Sequence, residues 1–245
     1  GQIEKAQDVV YQHRSTRYTR DPISGEMLSY AGAEPVPYAV SVMGGAGVLG
    51  EPIRRELASM DSIWRGAGYS EVQLDALRKG ATMRMATGLV QDSSVLSEWG
   101  RVVDLDQHLW GALGLPADRA GSAEEYKAAL GDAMEWNDRA KRTFLIAWQA
   151  RTSGSPEHAH RIFSRLDSMA FKPNSLDSGQ GLRVVSLFYR AEALEAMGRF
   201  EDAEEDLQEF LSAWPAPDEL ARPMVTRAEA ALRRIQEKGE GAGLL

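Results

Sequence analysis

The chain has 245 residues, enough for one good core or two small ones. Its net charge of −8 argues against a nucleic-acid footprint, and its lack of cysteine excludes disulfides, thiolate metal sites and a Cys nucleophile. No window approaches the roughly 18 apolar residues of a membrane-spanning helix; the longest candidate, residues 38–50, is short and rich in glycine.

The N-terminal part, residues 1–51, reads as a helix over Ile3–His13 followed by an irregular arm, broken by Pro22, Gly25, Gly32, Pro35 and Pro37. Its basic stretch "HRSTRYTR" (His13–Arg20) reads as a solvated arm, with an anionic partner as the alternative. A start at Gly1 rather than Met leaves room for a removed signal or transit peptide, so the expectation is a soluble chain, exported, organellar or neither.

The arm ends in "YAVSVMGGAGVLGEPIRREL", where Gly45, Gly47 and Gly50 fit G-x-G-x-x-G. A dinucleotide site needs that turn inside a βαβ unit, with an acidic residue some 20 residues beyond it. Residues 39–43 suit a first strand, but no second Val- or Ile-rich run follows. The alternative is a glycine-lined close approach of the backbone to the first helices.

From Pro52 onward the pattern is helical. Pro52 occupies a first turn, where its missing N–H costs nothing, and Ile53, Leu57, Met60 and Trp64 make one apolar face. "SEVQ" (Ser70–Gln73) and "SAEE" (Ser122–Glu125) are capping boxes. Val95, Trp99, Val102, Val103, Leu109, Trp110 and Leu113 predict one long helix ending at Gly114. Within it, Asp104 and His108 stand four apart and read as a solvated face rather than a metal pair. Further helices are expected over 122–136, 138–152, 156–170, 182–197, 200–213 and 219–237, with a frayed tail from Lys238. His158 and His160 diverge on their helix and cannot share a metal.

The strongest pattern lies in residues 138–245, set apart from a helical domain over 52–137. "LFYRAEALEAMGRFEDAEEDLQEFLSAWP" places Leu187, Ala191 and Leu194 on one helix and Gly198 at a turn. Ala203, Leu207 and Phe210 lie on the next helix, and Pro215 closes the unit. A degenerate copy upstream aligns Ala147 with Ala191, Gly154 with Gly198, Ala159 with Ala203 and Phe163 with Leu207. The offset of 44 residues exceeds the roughly 34 of a helix–turn–helix repeat, with Lys172–Gly181 as an inserted loop. Over about 138–237 this resembles the tetratricopeptide repeat, with 219–237 as a capping helix whose outer face, "RAEAALRRIQEK", is polar. The expected fold is all-α: antiparallel helix pairs stacked as a tetratricopeptide-like solenoid behind an irregular N-terminal arm.

What the resemblance implies is a non-catalytic interaction scaffold, an assembly factor or accessory subunit of a multiprotein complex, with no cofactor. Its partners are other protein subunits or peptide segments, and peripheral attachment to a membrane complex is compatible with the reading. The alternatives are a nucleotide-binding enzyme using the glycine turn and a helical domain of a larger regulatory protein. In such arrays the first helix of each pair lines an inner groove. By that register Lys141, Phe144, Trp148 and Arg151 face the groove beside Val185, Phe188 and Glu192. Phe188 and Glu192 stand where terminal-carboxylate clamps carry Lys and Asn, which implies an apolar or mixed ligand segment. The alternative placement for Phe144 and Trp148 is the core.

Overall fold

In the computed structural model, which describes residues 43–44, 47–118, 120–133, 139–169 and 179–242, helices follow one another with short connections and no strand among these residues. The helices are α1 (Glu51–Gly66), α2 (Glu71–Leu89), α3 (Ser93–Gly100), α4 (Ala123–Ala133) and α5 (Arg139–Thr152). They continue with α6 (Pro156–Asp167), α7 (Gly179–Ala196), α8 (Phe200–Ser212) and α9 (Arg222–Ala242). Between α3 and α4 lie one turn of π-helix, Asp106–Trp110, and one of 3-10 helix, Gly111–Leu113. The expected helix over 3–13, the Pro-rich arm, Gly45 and most of the 172–181 loop lie outside the described residues.

α1 forms as its periodicity requires: Gly50 caps it, Pro52 sits in its first turn, and Ile53, Leu57, Met60 and Trp64 are buried along one face. Each such side chain removed from water contributes about 1.5–3 kcal/mol. Asp61 of α1 receives Arg78 of α2 at 2.6 Å, which fixes the pair. Both capping boxes are made. The Ser70 N–H meets Gln73 Oε1 at 2.9 Å, and the Ser122 N–H meets Glu125 Oε2 at 2.5 Å.

The single long helix expected over 95–113 is instead broken after Gly100. The Val102 and Val103 N–H groups both turn back to the Trp99 carbonyl, at 2.9 and 3.1 Å. Leu105 then folds against Gly100, where an added Cβ would lie 3.0 Å from its Cδ1. Asp104 accepts from the Gln107 N–H at 3.1 Å and so begins the next turn rather than continuing the last. At the other end of the chain the tail expected to fray from Lys238 remains helical to Ala242.

α5–α6 and α7–α8 are successive antiparallel hairpins, and α6 also packs against α7. Their turns are alike in detail. Gly154 and Gly198 both have φ 74°, the left-handed conformation that glycine adopts without strain. The Gly154 N–H reaches the Arg151 carbonyl at 3.1 Å and the Ser155 N–H the Ala150 carbonyl at 2.9 Å. The equivalents, Gly198 to Glu195 and Arg199 to Leu194, span 3.0 and 2.9 Å. Each pair of bonds satisfies carbonyls left open by the ending helix. Ala147, Ala159, Ala191 and Ala203, the small residues at matched places, are all buried, so the helices approach closely.

α5 is the central helix. Every residue from Arg142 to Ala150 is buried, and the helix touches α2, α4, α6 and α7. Its run Phe144–Trp148 has no polar face because no face meets solvent. The buried core does not divide at residue 137: Ala86, Val90, Leu109, Trp110 and Leu113 share one cluster with the hairpins. A second cluster joins Met43 and Val48 to α1, α2 and α3.

Candidate functional site

α5 packs on α7 and α7 on α9, and the residues expected to form a groove there are largely buried by the chain itself. Phe144, Val185 and Phe188 are at most 1% exposed and Trp148 is 8% exposed, so the apolar part of the expected groove is core. The end of α2 packs on α5, and Gln91 just beyond it bonds Tyr189 of α7; Val90 and Trp110 belong to the same buried cluster. Contact of Phe144, Trp148, Val185 or Phe188 with a partner would require the molecule to open.

Tyr189, a residue the repeat register does not single out, is the hub of this floor. Its ring meets Trp148 edge-on at 4.7 Å, Phe188 at 5.2 Å and Phe144 at 6.0 Å. Its hydroxyl donates to Gln91 Oε1 at 3.1 Å, and burial pushes the phenol well above its ordinary pKa. Gln91 Nε2 in turn donates to the carbonyls of Gly44 at 2.8 Å and Thr87 at 2.5 Å. One buried amide thus joins the glycine segment, α2 and α7.

The expected glycine-lined close approach is what the described part of that segment shows. A Cβ at Gly44 would collide with the backbone of Gly88, and one at Gly47 would lie 3.1 Å from Met224 Cγ. The Gly47 N–H is held by the Gly44 carbonyl at 3.0 Å and the Val48 N–H by the Met43 carbonyl at 2.8 Å. The Gly50 N–H, at the start of α1 where a phosphate would sit, donates to Asp92 Oδ2 at 2.6 Å. Burial alone would raise the Asp92 pKa; hydrogen bonds from Ser94, Val95 and Gly50 outweigh it and hold the carboxyl below its usual value. A carboxylate therefore already fills the place a phosphate would need.

Above the aromatic floor lies a charged rim. Arg151 gives Nε and Nη2 to Glu192 Oε2 at 3.0 and 2.6 Å, and its guanidinium stacks 4.8 Å from the Trp148 ring. From the far side Arg227 of α9 reaches only to 3.9 Å of Glu192 Oε1 while lying 5.0 Å from the Phe188 ring. Arg151, Glu192 and Lys141 are half-buried, whereas 44% of the Arg227 side chain is exposed. One turn along, Glu195 takes both Arg234 at 2.7 Å and Lys238 at 2.8 Å. Hydrogen bonds from Arg234 and then Lys238 overcome burial and hold the Glu195 pKa at about 2. The face of α9 expected to be an outer polar surface therefore turns Arg227, Arg234 and Lys238 onto α7. Of the expected groove residues, the structure brings Arg151 and Glu192 together at the surface.

Away from the hairpins, His108 and Asp104 share a backbone bond at 3.2 Å, and no group of three His, Asp or Glu side chains able to hold a metal occurs among the described residues. An open cleft of about 660 Å³ lies beside the broken α3, where Val102 is 44% exposed among Ser97, Arg101 and Asp106. Among the described residues no helix is long and apolar enough to cross a membrane. No family model, curated protein or solved structure matches the chain.

Proposed function

We propose that this chain is a non-catalytic interaction scaffold built on tetratricopeptide-like hairpins, serving as an assembly factor or accessory subunit of a multiprotein complex. The observation that carries the reading is the matched pair of hairpins. Gly154 and Gly198 make the same left-handed turn 44 residues apart, and each is flanked by Ala at equivalent close approaches. A repeated hairpin offers a continuous surface on which a partner segment can lie. The part of that surface open to a partner is the rim of Arg151, Glu192 and Arg227, because the apolar floor beneath it is already filled. The test is affinity isolation of the full chain from its native source, with subunits identified by mass spectrometry and compared between wild type and Arg151→Ala/Arg227→Ala. Stoichiometric subunits that are lost in the double variant support the scaffold. Absence of any stoichiometric subunit counts against it, as does a melting-temperature rise with nucleotide.

A further inference from the structure

The rim carries an unbalanced ion cluster. Glu192 Oε2 is engaged by Arg151 through two nitrogens, at 3.0 and 2.6 Å, so that pair is complete. Arg227 contributes a second cation, yet its nearest approach to Glu192 is 3.9 Å, beyond a hydrogen bond. Among the described residues two guanidinium groups thus face one carboxylate, a local excess of positive charge on a chain whose net charge is −8. The next carboxylate along α7, Glu195, is already held by Arg234 and Lys238 and cannot supply the missing charge.

The cations are also held in place. Arg151 lies 4.8 Å from Trp148 and 5.2 Å from Tyr189, while Arg227 lies 5.0 Å from Phe188. Stacking on buried rings fixes each guanidinium plane and lowers the ordering cost of a new bond. Arg227 also lies beside the Tyr189 hydroxyl and has Nη1 4.0 Å from Met224 Sδ, yet 44% of its side chain is exposed, and guanidinium N–H donors match a carboxylate.

We propose that this rim receives an acidic side chain, Asp or Glu, from an extended segment of a partner protein. The incoming carboxylate bridges Arg227 and Arg151, completing an alternating ring of two guanidinium groups and two carboxylates. Recognition is of a side chain within the segment and does not need a free chain terminus, since Phe188 and Glu192 occupy the places where a terminal-carboxylate clamp would carry Lys and Asn. This rests on the scaffold reading and specifies the chemistry of its partner.

The test uses the full chain and a short fluorescein-labelled peptide of alternating Glu and Leu, blocked at both ends, with binding read by anisotropy. Controls are the Gln and Leu counterpart and an unblocked Gln and Leu peptide with a free C-terminus. The expected result is binding of the Glu peptide alone, weakened about tenfold or more in Arg227→Gln, as loss of a charge-assisted bond requires. Arg227→Lys should fall between the two, and added salt should weaken the wild type toward the Gln variant. Melting curves establish that each variant is folded. Were Arg227→Gln to unfold, Arg227→Lys and the salt series would discriminate in its place. Equal binding to wild type and variant, no binding of the Glu peptide, or binding of the free-terminus control would overturn the proposal. Any of these leaves the scaffold reading to its own test, the recovery of stoichiometric subunits.

Discussion

The hairpins α5–α8 and the layer α1–α3 are held by different means. In the hairpins the same local solution occurs twice: a glycine in the left-handed conformation, a pair of backbone bonds closing the helix, and Ala at each close approach. The layer has no such repetition. It is anchored on the rest of the molecule by groups far apart in sequence: Gln91 with Tyr189 of α7, 98 residues away, and Gly47 on Met224 of α9, while Gly44 packs on Gly88 within the layer. The first kind of stability is built from neighbours, and the second exists only when the whole chain has folded.

If the layer and hairpins form one cooperative unit, damage to the shared floor should unfold both. The largest effect is expected from Phe144→Ala, which empties a fully buried site on the central helix. It should cost about 3–5 kcal/mol and lower a single melting transition. Two transitions, with the layer unmoved, would separate the regions and make residue 137 a true boundary.

Overpacking the hairpins tests their half of the contrast. Ala191→Leu and Ala203→Leu put three extra carbons where exposure is 1% and 0%. Each should lose about 1–3 kcal/mol in chemical denaturation. An unchanged midpoint for either would show that the matched alanines do not mark the close approach.

The long-range anchor is tested by Gln91→Leu. The change leaves the Tyr189 hydroxyl without its acceptor inside the core and the Gly44 carbonyl with the Gly47 N–H alone. The expected cost is about 1–3 kcal/mol, with faster amide exchange in α1 and α2 than in α7 and α8. Uniform exchange across both regions would contradict the anchor.

These differences also explain what is legible in the sequence. The hairpins can be read because glycine, alanine and apolar spacing act within one or two turns, and the two capping boxes for the same reason. The position of the layer is not legible, because glycine contacts have no side-chain pattern and Gln91 carries no mark of its distant partner. The apolar run Phe144–Trp148 does carry a signal: with no polar residue on any side, it belongs to a helix buried all round. Repeat register assigns Phe144 and Trp148 to an inner face, and both are buried in one cluster with Val90 and Trp110. Arg227 escapes notice for the opposite reason, since an exposed Arg on a polar helix looks like every other one until the helix is placed against Phe188. The break after Gly100 depends on the fit of Leu105 over a missing Cβ, which periodicity cannot register.

The smallest expected effect lies at the junction between hairpins and depends on pH. His160 of α6 has its Nδ1 buried without a partner, and its Nε2 stands 3.4 Å from Arg199 Nη1 at the α7–α8 turn. Burial first, then the charges of Arg199 and Arg190, hold its pKa below the ordinary 6.5, against a smaller upward pull from Asp206 and Asp202. The folded state therefore binds fewer protons than the unfolded one just below pH 6.5, so stability falls as the pH drops. Its contribution is complete above pH 6.5 and is lost as the pH descends through the folded-state value. Glu195 adds a separate loss at lower pH, because its folded pKa of about 2 lies under an ordinary 4.5. Wild type should thus weaken in two stages on acidification. His160→Gln, whose amide oxygen can still accept from Arg199, should abolish the upper stage and leave the lower one. Denaturation midpoints measured for both proteins from pH 8 to pH 3 distinguish the two cases. Parallel curves across the upper stage would show that His160 protonates as easily in the folded chain as in the unfolded one, and that the hairpin junction is indifferent to its charge.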